Sequence, residues 1–288
     1  GSSSNAGTSS QTTTASEAKG PYIAPAFLDS SFHADKAEGK KNAKIDTSAV
    51  SEGYVAVSAT STKRLKFQVI FGDKTYNYNL SNDGTPSIFP LQSGDGTYKF
   101  RVVENTSGSK YAEVYTTVAD VKMKDQFQPF LRPNDYVNYS KDSECVKKAA
   151  ELAKDAGDAL GLIGAVYEYV CKNVTYDKQK AKDVQSGYLP DPDETMRTGK
   201  GICFDYASLA GAMLRSQGIP CKEIFGYVAP NDLYHAWNMF YTEQTGWVVV
   251  SFEVKAGTWN RLDLTFSANG ADDTFIGDGD NYADLYFY

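Results

Sequence analysis

Hydrophobic positions recur at two different periods along this chain, and the change of period divides it. From Gly53 to about Val118 the period is two. Tyr54, Val55 and Val57 are followed by Leu65, Phe67, Val69 and Phe71, then by Tyr76, Tyr78 and Leu80. Tyr98, Phe100 and Val102 come next, and Tyr111 to Val118 alternates again. Such alternation sends one side of a strand into a core and the other to solvent. Turn signals separate the runs: Asp73-Lys74, Asn82-Asp83-Gly84 and Gly94-Asp95-Gly96. Short strands at about ten-residue spacing predict an immunoglobulin-like β-sandwich, though without the Cys…Trp…Cys core of a true immunoglobulin domain. Residues 21–50 show no clear period and are expected to form an irregular lead-in, so that the β-module spans 21–131.

Beyond a joint at Phe130-Leu131-Arg132-Pro133-Asn134 the pattern becomes helical. Val146, Ala149, Ala150 and Ala153 share one face of a helix expected from Ser143 to Ala156. Leu162, Val166, Tyr169 and Val170 mark a second from Ala159 to Asn173, with Asp158 as its N-cap. Val174-Thr175-Tyr176-Asp177 leaves that helix, and Lys178 to Thr198 reads as a long loop, a candidate cleft wall. A third helix follows Gly199 and Gly201: Phe204, Ala207, Leu209, Ala210, Met213 and Leu214 recur at three- and four-residue steps. It stops at Gly218, suited to a left-handed C-cap, with Pro220 beyond. Strands are expected at Tyr234–Tyr241, Gly246–Phe252, Gly257–Phe266 and Tyr282–Tyr288. The fold class is therefore α+β, with a second domain over 132–288.

Composition narrows the functions. A chain of 288 residues with 41% hydrophobic content can build two cores. Its formal charge of −7 argues against a nucleic-acid partner. No run approaches the ~18 apolar residues of a spanning helix. Residues 1–20 are almost all Ser, Thr, Ala, Gly, Asn and Gln, too polar to offset the entropy of ordering. They resemble the tether behind the lipidated cysteine of bacterial lipoproteins, which implies an extracellular, surface-anchored protein touching the membrane only through a removed lipid anchor. The plain alternative is a disordered stretch of a soluble protein. The acidic run Asp272, Asp273, Asp278, Asp280 and Asp284 does not have EF-hand spacing and is expected to be a solvated loop rather than a calcium site.

The four cysteines, Cys145, Cys171, Cys203 and Cys221, lack the close pairing of a zinc site. Cys145 opens one helix and Cys171 closes the next, which leaves a disulfide and two buried thiols equally open. Cys203 opens the third helix, where unpaired N–H groups carry roughly +0.5 of a charge and are expected to lower a thiol pKa. Taken alone, Cys203 reads more readily as a small buried hydrophobe. Two later residues shift that balance. The chain has two histidines; His33 stands in a polar stretch, whereas His235 lies in Tyr234-His235-Ala236-Trp237-Asn238, with Trp237 expected to pack against the cysteine helix. Asp263 lies on another strand. Cys, His and Asp supply a nucleophile, a base and a group that orients the base. Asp205 is expected to point away from Cys203, as a first-turn complement to the helix dipole or a hydrogen bonder at the core edge, and not as a catalyst. Gly201 is expected to let substrate approach the backbone. Tyr176 and Tyr188 are the candidates for a second oxyanion donor.

The ordered pattern Gly-x-Cys-x-Asp-Tyr-Ala at 201–207, Gly-Ile-Pro at 218–220, His-Ala-Trp-Asn at 235–238, Gly-Trp at 246–247 and Trp-x-x-x-Asp-x-Thr-Phe at 259–266 resembles the transglutaminase-like superfamily of papain-like cysteine enzymes. The resemblance covers about 135–288. It implies a cysteine opening a helix packed on an antiparallel sheet, with the histidine and aspartate on neighbouring strands. It implies Cys203 as nucleophile, His235 as general base and acid, and Asp263 as orienting carboxylate, without metal or cofactor. The substrate would be a peptide or protein amide, with cell-wall peptide among the options. Hydrolysis is favoured over acyl transfer to an amine. A non-catalytic surface scaffold is the remaining alternative. Oligomeric state is left open.

Overall fold

The computed structural model describes residues 21–228, 233–253, 261–263 and 282–288. The polar stretch 1–20 and the acids at 272, 273, 278 and 280 lie outside the described residues. The first half is built from β1 (Glu38–Lys40), β2 (Ala43–Asp46), β3 (Tyr54–Ala59), β4 (Leu65–Phe71), β5 (Lys74–Leu80), β6 (Ser87–Pro90), β7 (Gly96–Ser107) and β8 (Lys110–Val121). They form two four-stranded sheets, ordered β1-β2-β3-β6 and β5-β4-β7-β8, with every pairing antiparallel. Alternation fills the space between them: Ile45, Val55, Val57 and Phe89 from one sheet meet Phe67, Val69, Tyr78 and Phe100 from the other. Phe89 stacks across the gap on Tyr78 at 4.2 Å and on Phe67 at 5.3 Å between ring centroids. Aromatic pairs of this kind add to the burial of their large apolar surface.

Two features of this half went unread in sequence. The lead-in 21–50 contains β1 and β2. All three residues of β1 are exposed, so it has no apolar alternation to detect. β6 is four residues long and ends on Pro90.

The second half holds α1 (Glu144–Asp155), α2 (Ala159–Asn173), β9 (Thr175–Tyr176), α3 (Lys178–Asp183), α4 (Pro192–Thr198), β10 (Lys200–Gly201) and α5 (Cys203–Ser216). β11 (Cys221–Val228), β12 (Leu233–Thr242), β13 (Gly246–Glu253), β14 (Arg261–Asp263) and β15 (Tyr282–Phe287) follow. The last five strands form one sheet ordered β14-β13-β12-β11-β15. α1 and α2 fall where the periodicity sets them, and the Asp158 side chain caps α2 by accepting from Gly161 N–H. The stretch 178–198, expected to be a loop, holds α3 and α4. α3 has no buried residue and hence no hydrophobic period; only its N-cap Asp177 marks it. α5 ends as its sequence predicts: Gly218 takes φ +77°, and a Cβ there would stand 2.2 Å from Pro25.

The two halves are joined by burial rather than by a linker alone. Ala207, Phe225, Ala236 and Tyr288 belong to the same buried cluster as the sandwiched residues of the first half. Tyr136 stacks on Tyr288 at 4.0 Å, and Tyr288 meets Tyr76 and Tyr78 edge-on. Arg215, at the end of α5 and almost fully buried, donates to the carbonyls of Cys221, Arg132 and Tyr288. It thereby ties α5, the joint and the end of the sheet to one guanidinium. Arg215→Ala would remove a charged donor from three carbonyls, of which Tyr288's also accepts from Glu223 N–H, and each such bond contributes about 1.5–3 kcal/mol. Urea unfolding should show a loss of about 3 kcal/mol or more; a loss under about 1 kcal/mol would remove this role.

Candidate active site

α5 lies on the central strands of the five-stranded sheet. Asn238 of β12 reaches into the helix layer, its amide donating to the Ala207 carbonyl at 3.1 Å. Alternation then sends Trp237 to the opposite face, where it packs with Phe130, Ile224, Met239 and Trp247. The expectation that Trp237 packs against the cysteine helix is corrected accordingly; its ring instead stacks on His235, with centroids 5.9 Å apart.

The first turn of α5 is fixed by Asp205, which is fully buried. Its carboxylate accepts from Ile202 N–H at 2.8 Å and from the Tyr188 hydroxyl at 2.5 Å, and it pairs with Lys180 at 2.9 Å. Asp205 is thus the first-turn residue and hydrogen bonder that the sequence suggests, but it is fully buried rather than at the core edge. Gly201 is small for the same reason: a Cβ there would lie 2.6 Å from the Asp205 Cβ. The side chain that needs this close approach is Asp205, not a substrate. Tyr188 is committed to Asp205, and burial together with that carboxylate pushes its phenol up to about 12. It is thus a wall residue and is removed from the oxyanion candidates.

A cleft of about 660 Å³ opens at this helix start. Cys203 and His235 both line it. The backbone N–H groups of Ala236, next to His235, and of Phe204 act on the Cys203 thiol in the direction of the thiolate. Both side chains are half-buried. Burial raises the Cys203 thiol above its ordinary value, and those two N–H groups only partly oppose it. Burial also lowers the His235 imidazole below 6.5. Both shifts favour the uncharged forms. This reverses the sequence expectation of a lowered thiol pKa, because loss of water outweighs the helix N-terminus. The second histidine, His33, lies elsewhere and bonds Asp46 at 3.0 Å. Tyr176 also lines the cleft; its phenol is raised by burial and then by Cys203, and its hydroxyl makes no hydrogen bond among the described residues.

Asp263 is described as a backbone position only. Ser251 of β13 pairs with it, and one step beyond the Asn238–Val250 pair Ser251 comes opposite Trp237. Position 263 therefore falls on the sheet face of positions 235 and 237. The four cysteines are free; Cys145 and Cys171 are buried in one core as thiols.

Sequence reasoning missed Glu223. It is fully buried on β11 opposite Asn238, and neither carboxyl oxygen has a hydrogen-bond partner among the described residues. Burial drives its pKa well above the ordinary value, with Arg215 opposing. No periodicity marks a Glu as inward-facing; only the alternation of β11 around buried Cys221 and Phe225 could have done so.

Residues 146–252 match the model of the transglutaminase-like superfamily. The chain is 30% identical over 116 residues to a UPF0252 protein of Methanocaldococcus jannaschii, covering 38% of this chain and 31% of that protein. It is 26% identical over 148 residues to the kyphoscoliosis peptidase of Mus musculus, covering 48% of this chain and 20% of that one. The chain thus spans a third or less of the length of these relatives. Among solved structures, a candidate cysteine protease from Cytophaga hutchinsonii aligns with a TM-score of 0.39 and 15% identity, over 82% of this chain and 87% of that one. The family match at residues 146–252, with helices packed on an antiparallel sheet, gives this chain an α+β fold with a transglutaminase-like core.

The raised Glu223 pKa has a stability consequence. Relative to an unfolded value of about 4.3, its contribution is complete below that pH and is lost as pH rises through the folded value. Glu223→Gln stays neutral throughout, so its Tm relative to wild type should climb as pH rises above the unfolded value of about 4.3. A pH-independent difference would show that Glu223 is not held protonated.

Proposed function

We propose that this chain is a cysteine-dependent enzyme that opens peptide or protein amides through a thioester on Cys203, with water as the usual acceptor. The observation that carries this reading is the shared cleft, which Cys203 and His235 line together. Hydrolysis is supported further by similarity to a protein named a peptidase.

The chemistry starts from a neutral pair. As the sulfur approaches the amide carbonyl, His235 takes the thiol proton, and a C–S bond forms while the carbonyl becomes an oxyanion. The Cys203 N–H, which opens α5 and has no acceptor within the helix, donates to that oxyanion. The Tyr176 hydroxyl is the second donor. The tetrahedral species collapses, the C–N bond breaks, and His235 returns its proton to the leaving amine. Water, deprotonated by His235, then releases the acid and restores the thiol. Asp263 orients the imidazole from the same sheet face. A surface location of the enzyme and cell-wall peptide as substrate belong to this reading as well, carried by the composition of residues 1–20.

Cys203→Ala and His235→Ala should each remove turnover of peptide amides in an assay of released amine. Tyr176→Phe should lower kcat on the order of 10²-fold with little change in KM; an unchanged kcat would eliminate Tyr176 as an oxyanion donor. The acid limb of kcat/KM should lie below pH 6.5, following the lowered His235. A limb above that value would contradict the buried, neutral imidazole. Capture of the acyl group by added putrescine in preference to water would convert the assignment from hydrolase to acyl transferase.

A further inference from the structure

The cleft around Cys203 is not lined by the transglutaminase-like core alone. β5, the edge strand of its sheet, contributes Asn77 and Asn79. Alternation along β5 buries Tyr76, Tyr78 and Leu80 and leaves the two asparagines exposed. Among the described residues neither carboxamide makes a hydrogen bond. Two residues along a strand span about 6.8 Å, which is also the repeat of any extended peptide. A carboxamide offers an acceptor and two donors. Two of them at this spacing can therefore meet the N–H and C=O groups of alternate residues in a chain lying beside β5.

The rest of the cleft restricts which chain that is. Among the described residues its lining has no Asp, Glu, Lys or Arg, and it is rich in rings: Tyr136, Tyr188, Phe204 and Phe225. A charged side chain entering it would lose water without finding a partner. The wall segment also reaches Asn79. Gly187 takes φ +90°, and a Cβ there would stand 2.7 Å from the Asn79 amide nitrogen. Tyr188, the next residue, is bonded to Asp205 at the base of Cys203. One short segment thus spans from Asn79 to the helix that carries the sulfur.

We propose that Asn77 and Asn79 form a subsite that binds the backbone of an extended peptide substrate whose side chains near the cleaved bond are aromatic or aliphatic and uncharged. The β-module is then part of the enzyme's specificity and not only a spacer. This rests on the reading of Cys203 as the nucleophile.

The probe is acetyl-Ala-Phe-Ala-Phe-chloromethyl ketone, which alkylates a thiol with loss of chloride; iodoacetamide serves as a reagent too small to reach β5. The quantity measured is the ratio of the two second-order rates at Cys203, followed by mass spectrometry on the full chain. Asn77→Ala/Asn79→Ala should lower that ratio about 5- to 50-fold, the loss expected for two neutral hydrogen bonds. Asn77→Ala alone, which changes an exposed side chain away from Gly187, should lower it about 2- to 10-fold. An unchanged ratio in both variants overturns the subsite. Wild-type Cys203 reacting with iodoacetamide no faster than buried Cys221 would instead sink the nucleophile reading. The subsite would then be judged by fluorescence anisotropy of the same peptide as a dye-labelled amide: saturable binding lost in the double variant upholds it, and binding unaffected or absent ends it.

Discussion

One buried carboxylate sets the geometry on which the rest of the site depends. Asp205 has no exposed surface, and its oxygens are met by a backbone N–H from the entry to α5, a hydroxyl from the cleft wall and an ammonium from α3. Leaving such a group unpaired in the interior would cost several kcal/mol. The three segments must therefore converge whenever the chain folds. Their convergence fixes the first turn of α5, and Cys203 is the first residue of that turn. The same bonds hold Tyr188 and its neighbours against Asn79 of the β-module. Helix start, cleft wall and edge strand are thus positioned by a single side chain.

The burial that gives this rigidity also sets the resting charge of the site. Cys203 is moved up and His235 down by the same cause, removal from water. A helix N-terminus favours the thiolate, but its partial charge acts within one turn and is a modest effect. Here dehydration wins, and the pair rests as thiol and imidazole. The proton then moves as the substrate carbonyl is attacked, which couples sulfur reactivity to occupancy of the cleft.

Much of this architecture was legible in the chain. Alternation located the long strands, the three- and four-residue steps located α1, α2 and α5, and Gly218 marked where α5 stops. The order of short motifs pointed to the core to which residues 146–252 are matched. What stayed hidden shares a physical reason: its signal was tertiary. β1 and α3 have no buried side chain, so no periodicity records them. The partners of Asp205, Lys180 and Tyr188, are brought to it by the path of the chain and not by spacing. Trp237 was assigned to the wrong layer because period two gives two faces without saying which one meets the helix; Asn238 supplies that answer only once its bond to Ala207 is seen. Gly201 looked like a place for substrate, when the group it makes room for is Asp205.

Every role proposed for the cleft requires that Cys203 carry the acyl group. Acetyl-Phe-Gly p-nitrophenyl ester, quenched in acid within the first turnovers, gives a direct reading by peptide-level mass spectrometry. The added acyl mass should appear on the peptide containing Cys203, be removed by neutral hydroxylamine as a thioester is, and be absent from Cys203→Ala. Acylation confined to lysines or to another cysteine, or an adduct at Cys203 that resists hydroxylamine, would contradict it.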